Sequence, residues 1–397
     1  MPLREMSRLE TRIEMVRLYE TGLVGVTELA GLYGVSRETV YYWARRKAAG
    51  GERWFEDMSR APHGRPQALD GSIVEAVLGL RRRFPWFGPK KLVAKLQLER
   101  PEIAWPSAST AGLWLKQAGL VKETVRRRRP LAQAPREAEA VEPNDEWAMD
   151  FKGWFRTSSG ERCDPVTVSD AVSRRLLALR IVEPTLAGVK AVLEEVFGEA
   201  GLPLALRSDN GPPFGSAGAG GLSRLSVWLL KLGVEPRHIR PGKPQDNGRH
   251  ERMHRTLKEQ TACPPAADKQ DQQRRFDCFR RHYNEERPHE ALGQHVPASR
   301  WRPSPRTYTG CAADPWYDTE HEVRRVRSAG EIKWKGRLIF IGEALAGELI
   351  GLAEDENGGH RVRFATRQLG ILAPDFVFRR YARPPWRPAS AAEHKAE

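Results

Sequence analysis

Cysteine is scarce in this chain. Its 397 residues include four, Cys163, Cys263, Cys278 and Cys311, far apart and with no CxxC pair. That spacing argues against a disulfide framework or a cysteine-built zinc site and implies free thiols in a reducing compartment. Long apolar runs are lacking too. None approaches the ~20 residues needed to cross a bilayer, and the charged N-terminus shows no apolar signal region. Acidic residues are outnumbered: 51 Asp and Glu stand against 65 Lys and Arg, a formal net charge of +14. Such an excess implies a polyanionic partner, nucleic acid first, and its arginine content suits bidentate phosphate contacts. No strong internal repeat is present. What remains is length enough for about two to four domains and at least one sizeable core.

Residues 1–56 read as a helix-turn-helix DNA-binding domain. Leu9, Ile13 and Val16 give an apolar stripe at helical spacing. Leu29, Ala30 and Tyr33 face the core from a second helix, Gly34 supplies the turn, and Ser36 caps a third helix anchored by Val40 and Trp43. Arg37, Thr39, Tyr41, Tyr42, Arg45 and Arg46 are then the candidate DNA contacts of a recognition helix in the major groove. Residues 68–121 read as a second helical, helix-turn-helix-like DNA-binding domain, with a plain helical spacer as the alternative. Residues 122–144 carry Arg126, Arg127, Arg128 and Arg129 among prolines and alternating Ala and Glu. No core can be built from them; they form a basic linker whose arginines track a DNA backbone.

Over residues 145–305 the pattern changes to α/β. Strands are expected at 146–154, 165–169, 175–182, 202–207 and 235–239, with helices at 185–199 and 222–232 and a further helix carrying Glu251. Three strands, a helix, a strand, a helix, a strand and a helix make a mixed sheet with helices on its faces. A Gly-rich segment, 212–221, is expected to be a mobile loop. Residues 269–286 form a basic amphipathic helix that buttresses this core. Short strands with Lys335-Gly336 and Asn357-Gly358 turns predict a small β-barrel over 318–382. It would bind DNA non-specifically or dock on a second protomer. Residues 383–397 are expected to be a disordered tail.

Three carboxylates hold attention. Asp150 lies in a strand among apolar neighbours, an unfavourable place without a partner. Asp209 ends a strand at a Gly turn, where functional groups collect in open α/β sheets. Glu251 shares one helix face with Arg255 and Lys258. Carboxylates converging from three elements repel unless a divalent cation holds them, and all-oxygen ligation suits Mg²⁺ or Mn²⁺ rather than zinc. Asp145 is read as linker, Asp164 as loop, and Asp170 and Asp246 as caps. His250 and His254 are read as surface residues, with DNA contact as the alternative.

These residues also carry a resemblance. Trp147-x-x-Asp150, Arg207-Ser-Asp209-Asn-Gly211, and Pro244-x-x-Asn247-Gly-x-x-Glu251 with Lys258 resemble the retroviral-integrase-type DDE core of insertion-sequence transposases. Arg280-x-x-Tyr283-Asn284-x-x-Arg287-Pro288-His289-x-Ala291-Leu292 resembles the tail that follows that core in the IS481 and IS3 groups. Pro212-Pro213-Phe214 and the stretch from Gly248 to Lys258 favour IS481. One departure is the separation of Asp209 and Glu251, 42 positions, longer than the DDE label usually implies.

The resemblance, over about residues 140–305, implies an RNase H-like fold. It also implies phosphoryl transfer with two Mg²⁺ or Mn²⁺ ions held by Asp150, Asp209 and Glu251. Asn247, Arg255 and Lys258 would touch DNA. The partners implied are double-stranded DNA, as transposon ends and target, and further copies of the chain in a homodimer or higher multimer. A bacterial cytoplasmic, nucleoid-associated location follows, with no membrane. The rival readings are a catalytically silent, sequence-specific DNA-binding regulator on the same fold, and an RNase H-type nuclease.

Overall fold

The computed structural model describes residues 7–58, 71–121, 140–216, 218–239 and 248–381. Arg126, Arg127, Arg128, Arg129, Asp246, Asn247 and the tail from residue 383 lie outside the described residues. The chain divides into two units, Met1–Leu69 and Asp70–Glu397.

The first unit contains α1 (Arg8–Thr21), α2 (Val26–Leu32) and α3 (Arg37–Ala48). Ser7 and Glu10 form a capping box on α1, and the Ser36 hydroxyl accepts from the Thr39 amide at the start of α3. Gly34 turns the chain at φ +62°, a left-handed conformation that glycine adopts at little cost. The core is Met15, Val16, Leu29, Ala30, Val40 and Trp43. Leu9 and Ile13, expected in that core, are 41% and 39% exposed. The buried residues of α1 are Met15 and Val16, and Arg12 lays its guanidinium 4.2 Å from the centre of the Trp43 ring.

The second unit begins with α4 (Gly71–Arg83), α5 (Pro89–Glu99) and α6 (Ala108–Gln117), packed around Val77, Phe87, Leu92 and Leu115. A sheet follows, built from β1 (Glu146–Phe151), β4 (Pro165–Asp170), β5 (Leu176–Ile181), β6 (Ala205–Ser208) and β7 (Glu235–His238). A small ribbon, β2 (Phe155–Arg156) with β3 (Arg162–Cys163), projects from the end of β1. The strand order is β5-β4-β1-β6-β7. The β5-β4-β1 pairs are antiparallel and the β1-β6-β7 pairs parallel.

Alternation of side chains assigns the two faces of the sheet. Trp147 and Met149 of β1 and Leu206 of β6 join Val189, Leu193 and Phe197 of α7 (Leu186–Ala200) and Leu225 and Leu229 of α8 (Arg224–Lys231). Ala148 and Asp150, and Arg207 two residues before Asp209, therefore point to the opposite face. There lie α9 (Gly248–Thr261) and α10 (Lys269–Glu285), whose Met253, Leu257, Phe276 and Phe279 pack on Leu176 and Leu179. The helical module is fastened to α10 and the turn beyond it. Phe84 stacks on His282, Lys95 pairs with Glu286, and Lys90 pairs with Glu290.

The C-terminal strands are β8 (His321–Arg325), β9 (Glu331–Trp334), β10 (Arg337–Phe340), β11 (Leu349–Glu354), β12 (His360–Phe364), β13 (Arg367–Leu372) and β14 (Phe378–Arg380). The expected barrel does not close. Five strands form an open sheet, β14-β13-β12-β11-β8, and β9-β10 is a separate hairpin. After β10 the backbone of Ile341 and Gly342 bonds to Gly330, and a 3-10 turn at Glu343–Leu345 follows; β10 pairs with β9 and makes no ladder with β14.

The end of the Gly-rich loop, expected to be mobile, is packed. Ala219, and Leu222 just beyond the loop, with Val227 and Leu230 of α8, share one apolar core with Ile332, Trp334, Ile350, Leu352 and Leu369 of the C-terminal strands. Gly220 sits at φ +61°, where an added Cβ would lie 3.4 Å from Leu369.

Candidate active site

Ala148 of β1 is in register with Arg207 of β6 across a parallel pair. Asp150 lies two residues further on in β1, and Asp209 two residues further on, just past the end of β6. Neighbouring strands are ~4.8 Å apart, so the two backbone positions fall at the same end of adjacent chains. Both are half-buried. The Asp209 carboxylate accepts from the Gly211 amide at 3.2 Å. Burial pushes its pKa up, and the Gly211 bond offsets part of that. The Asn210 amide donates to the Ile239 carbonyl at 2.8 Å, fastening the turn that carries Asp209. Glu146, with its side chain only 6% exposed, pairs with Arg207 at 3.1 Å and with Arg237 at 3.0 Å. Arg207 is thereby a clamp between strands, and the Asp170 carboxylate caps its turn by accepting from Val172, Ser173 and Asn144.

Glu251 lies in the first turn of α9 and is exposed. Arg255 and Lys258 are exposed further along the helix. Among the described residues, no group of three His, Cys, Asp or Glu side chains is gathered closely enough to hold one ion. Asp150, Asp209 and Glu251 are therefore an open set, with Asp150 in β1, Asp209 just past the end of β6 and Glu251 on α9, which is hydrogen-bonded to β4 beside β1. Their oxygen-only chemistry fits a hard divalent cation.

The two histidines of α9 are not surface residues. His250 is 3% exposed, and both meet the sheet at Thr167, the residue of β4 in register with Asp150. His250 Nε2 is 2.5 Å and His254 Nε2 2.8 Å from Thr167 Oγ1. The Thr167 hydroxyl also lies 3.1 Å from the Asp150 carbonyl oxygen, and Ser169 Oγ is 3.0 Å from His250 Nδ1. One placement of protons satisfies all four contacts. Ser169 donates to His250 Nδ1, both Nε2–H groups donate to Thr167 Oγ1, and Thr167 donates to the Asp150 carbonyl. Both rings are then neutral. In agreement, burial drives the His250 pKa well down, and burial followed by repulsion from Lys152 takes His254 to about 4.

Lys152 is a site-edge residue that the sequence reading passed over. It follows Asp150 by two positions, lies 5.3 Å from the Phe155 ring centre, and is half-buried. Burial lowers its pKa, and repulsion from Lys258 lowers it further, so the two lysines lie near each other. The only signal in the sequence was a lysine two places after the first acid.

In the first unit, Arg37, Tyr42 and Arg45 are exposed on α3. Three other candidates do structural work and are half-buried. Thr39 Oγ1 is 2.9 Å from Ser36 Oγ, Tyr41 meets Tyr19 edge-on, and Arg46 lies 5.1 Å from the Trp43 ring centre.

Comparison with known proteins agrees with this organisation. Residues 140–244 and 232–297 match two models of an integrase core domain, and residues 11–63 match a helix-turn-helix domain. The chain therefore carries an integrase core with the RNase H-like, mixed α/β fold, preceded in sequence by a helix-turn-helix domain. It has homologues in bacterial insertion elements. It is 29% identical over 244 residues to the insertion element IS476 uncharacterized 39.2 kDa protein of Xanthomonas euvesicatoria, covering 58% of this chain and 64% of that one. It is 29% identical over 272 residues to the insertion element IS407 uncharacterized 31.7 kDa protein of Burkholderia multivorans, covering 67% and 87%. The match thus spans less than two thirds of the first relative. Among solved structures, the catalytic core domain of BIV integrase is similar at 21% identity and a TM-score of 0.30, covering 39% of this chain and 92% of that one. No helix among the described residues is long and apolar enough to cross a membrane.

Proposed function

We propose that the chain is a DDE transposase of the IS481 type, a metal-dependent DNA polynucleotidyl transferase. It binds the terminal inverted repeats of an insertion sequence, hydrolyses the phosphodiester at each end and joins the freed 3′-OH to target DNA. The observation that supports this reading is that Asp150 and Asp209 each lie two residues beyond the registered pair Ala148 and Arg207 of two parallel strands, with Glu251 and Lys258 exposed on α9, which is hydrogen-bonded to β4 beside them. Asp150, Asp209 and Glu251 would hold two Mg²⁺ or Mn²⁺ ions. When bound, such ions neutralise charge on the phosphodiester and stabilise its leaving oxygen. Lys258, Arg255 and Lys152 hold backbone phosphates beside the carboxylates. Arg37, Tyr42 and Arg45 read the terminal repeats from α3, with Asn247 and the run Arg126 to Arg129 as further backbone contacts. The chain acts as a homodimer or higher multimer, since two ends must meet one target.

A regulator that binds the same DNA without cutting would not need the three acids, and all three are present. The test is strand transfer on oligonucleotides carrying the element's own terminal repeats, with Mg²⁺. Wild type is expected to join them to a target duplex, and Asp150→Asn to bind them equally well and join none. Cleavage persisting in Asp150→Asn would remove the site assignment.

A further inference from the structure

Glu251 is exposed, so its position relative to the two aspartates depends on how α9 is seated. The apolar part of that seat, Met253 and Leu257 against α10 and β5, is non-directional and tolerates small slides and rotations. The polar part does not. His250 and His254 are one turn apart, Glu251 lies between them in sequence, and both rings converge on a single hydroxyl. A one-residue rotation of α9 would swing Glu251 by roughly 100° and break both bonds. The same hydroxyl reaches the backbone carbonyl of Asp150.

We infer that Thr167, gripped by His250 and His254, is a positioning residue that fixes the rotation and level of α9, and with it Glu251, relative to the backbone of Asp150. This rests on the reading of the three acids as metal-holding groups.

The bland alternative is a polar patch tolerated in the core. Burying two imidazoles and two hydroxyls costs desolvation that apolar residues would avoid, and a fully apolar seat would hold the helix equally firmly. What hydrogen bonds add is direction. Each of the four contacts has one donor and one acceptor under the assignment above, so the network has one arrangement of α9 on β4. Thr167 touches neither a carboxylate oxygen nor the expected DNA path, so its effect passes through the two acids. Partners of this indirect kind typically change metal affinity by about 10–100-fold when removed.

The experiment measures Mn²⁺ binding to the DNA-free protein by electron paramagnetic resonance, with circular dichroism to establish folding and a metal-free DNA-binding assay alongside. Thr167→Val keeps the shape and removes the hydroxyl; Thr167→Ser keeps the hydroxyl. Thr167→Val is expected to weaken Mn²⁺ binding about tenfold or more with DNA affinity unchanged, and Thr167→Ser to restore it to within about threefold. Should Thr167→Val not fold, His254→Leu, which removes one of the two grips, is read in its place and is expected to weaken binding in the same direction. A folded Thr167→Val or His254→Leu that binds Mn²⁺ like wild type overturns the proposal. Wild type that binds Mn²⁺ with Asp150→Asn abolishing it upholds the acid assignment independently; wild type binding none removes both that assignment and this one.

Discussion

Asp150 and Asp209 each stand two residues beyond the registered pair Ala148 and Arg207 of adjacent parallel strands. Burial raises the pKa of Asp209, and the Gly211 amide offsets part of that. Its charge is therefore a cost to the metal-free fold. Asp209→Asn is expected to raise the melting temperature in metal-free buffer at neutral pH, by up to a few degrees. Added Mg²⁺ should stabilise wild type and leave the variant unmoved. Thermal unfolding with and without chelator reads both; a destabilised metal-free variant would contradict this account.

His254 titrates near 4 and His289 near 3, each lowered first by burial. His254 is then opposed by Lys152, and His289 by Lys91 and Arg287. Both are neutral in the fold, whereas an unfolded histidine titrates at about 6.5. Below that value the unfolded chain binds protons the folded one refuses. The stability from these rings is fully present above about pH 6.5 and falls as pH drops towards 4 and then 3. Each contributes a slope of up to about 1.4 kcal/mol per pH unit in that window. Melting temperature measured from pH 8 to 5 should fall only below about 6.5, and His289→Phe should flatten the fall.

Exposure separates two arginines of α3 that look alike in sequence. Arg37 is exposed, whereas Arg46 lies 5.1 Å from the Trp43 ring centre. Arg37→Ala should reduce the preference for terminal repeats over random DNA, by about 1–3 kcal/mol if the contact is to a base. Arg46→Ala should instead cost about 0.5–1 kcal/mol of stability. Competition binding and chemical denaturation distinguish them; an unchanged specificity ratio in Arg37→Ala would take this arginine out of end recognition.

Leu222 is 2% exposed and lies in the core that α8 shares with the C-terminal strands. Leu222→Ala should cost about 2–5 kcal/mol. The loss should appear as faster proteolysis in the 212–222 segment as well as a lower melting temperature.

Much of this was legible in the sequence, for identifiable reasons. Strands β4, β5 and β7 fall within a residue of their expected bounds, because apolar runs ended by turn formers carry strand signals directly. Asp170 was recognised as a turn cap from its place between strands, and its carboxylate does accept from Val172 and Ser173. His250 and His254 could not be read. Their partner Thr167 is more than 80 positions away, and nothing local marks a polar side chain as one end of a tertiary hydrogen bond. Leu9 and Ile13 misled because periodicity marks an apolar stripe without saying how much of it the neighbouring helices cover, and these two are 41% and 39% exposed. The barrel was overread, since strand count and turns do not say whether the last edge meets the first.

The apolar core that Ala219, Leu222, Val227 and Leu230 share with the C-terminal strands makes the chain unevenly modular. The helix-turn-helix unit has its own closed core, so a change of its sequence leaves the packing of the second unit's sheets untouched. The C-terminal sheet has no such freedom: its core includes Ala219 and Leu222, so a replacement sheet must also match the loop that follows Asp209.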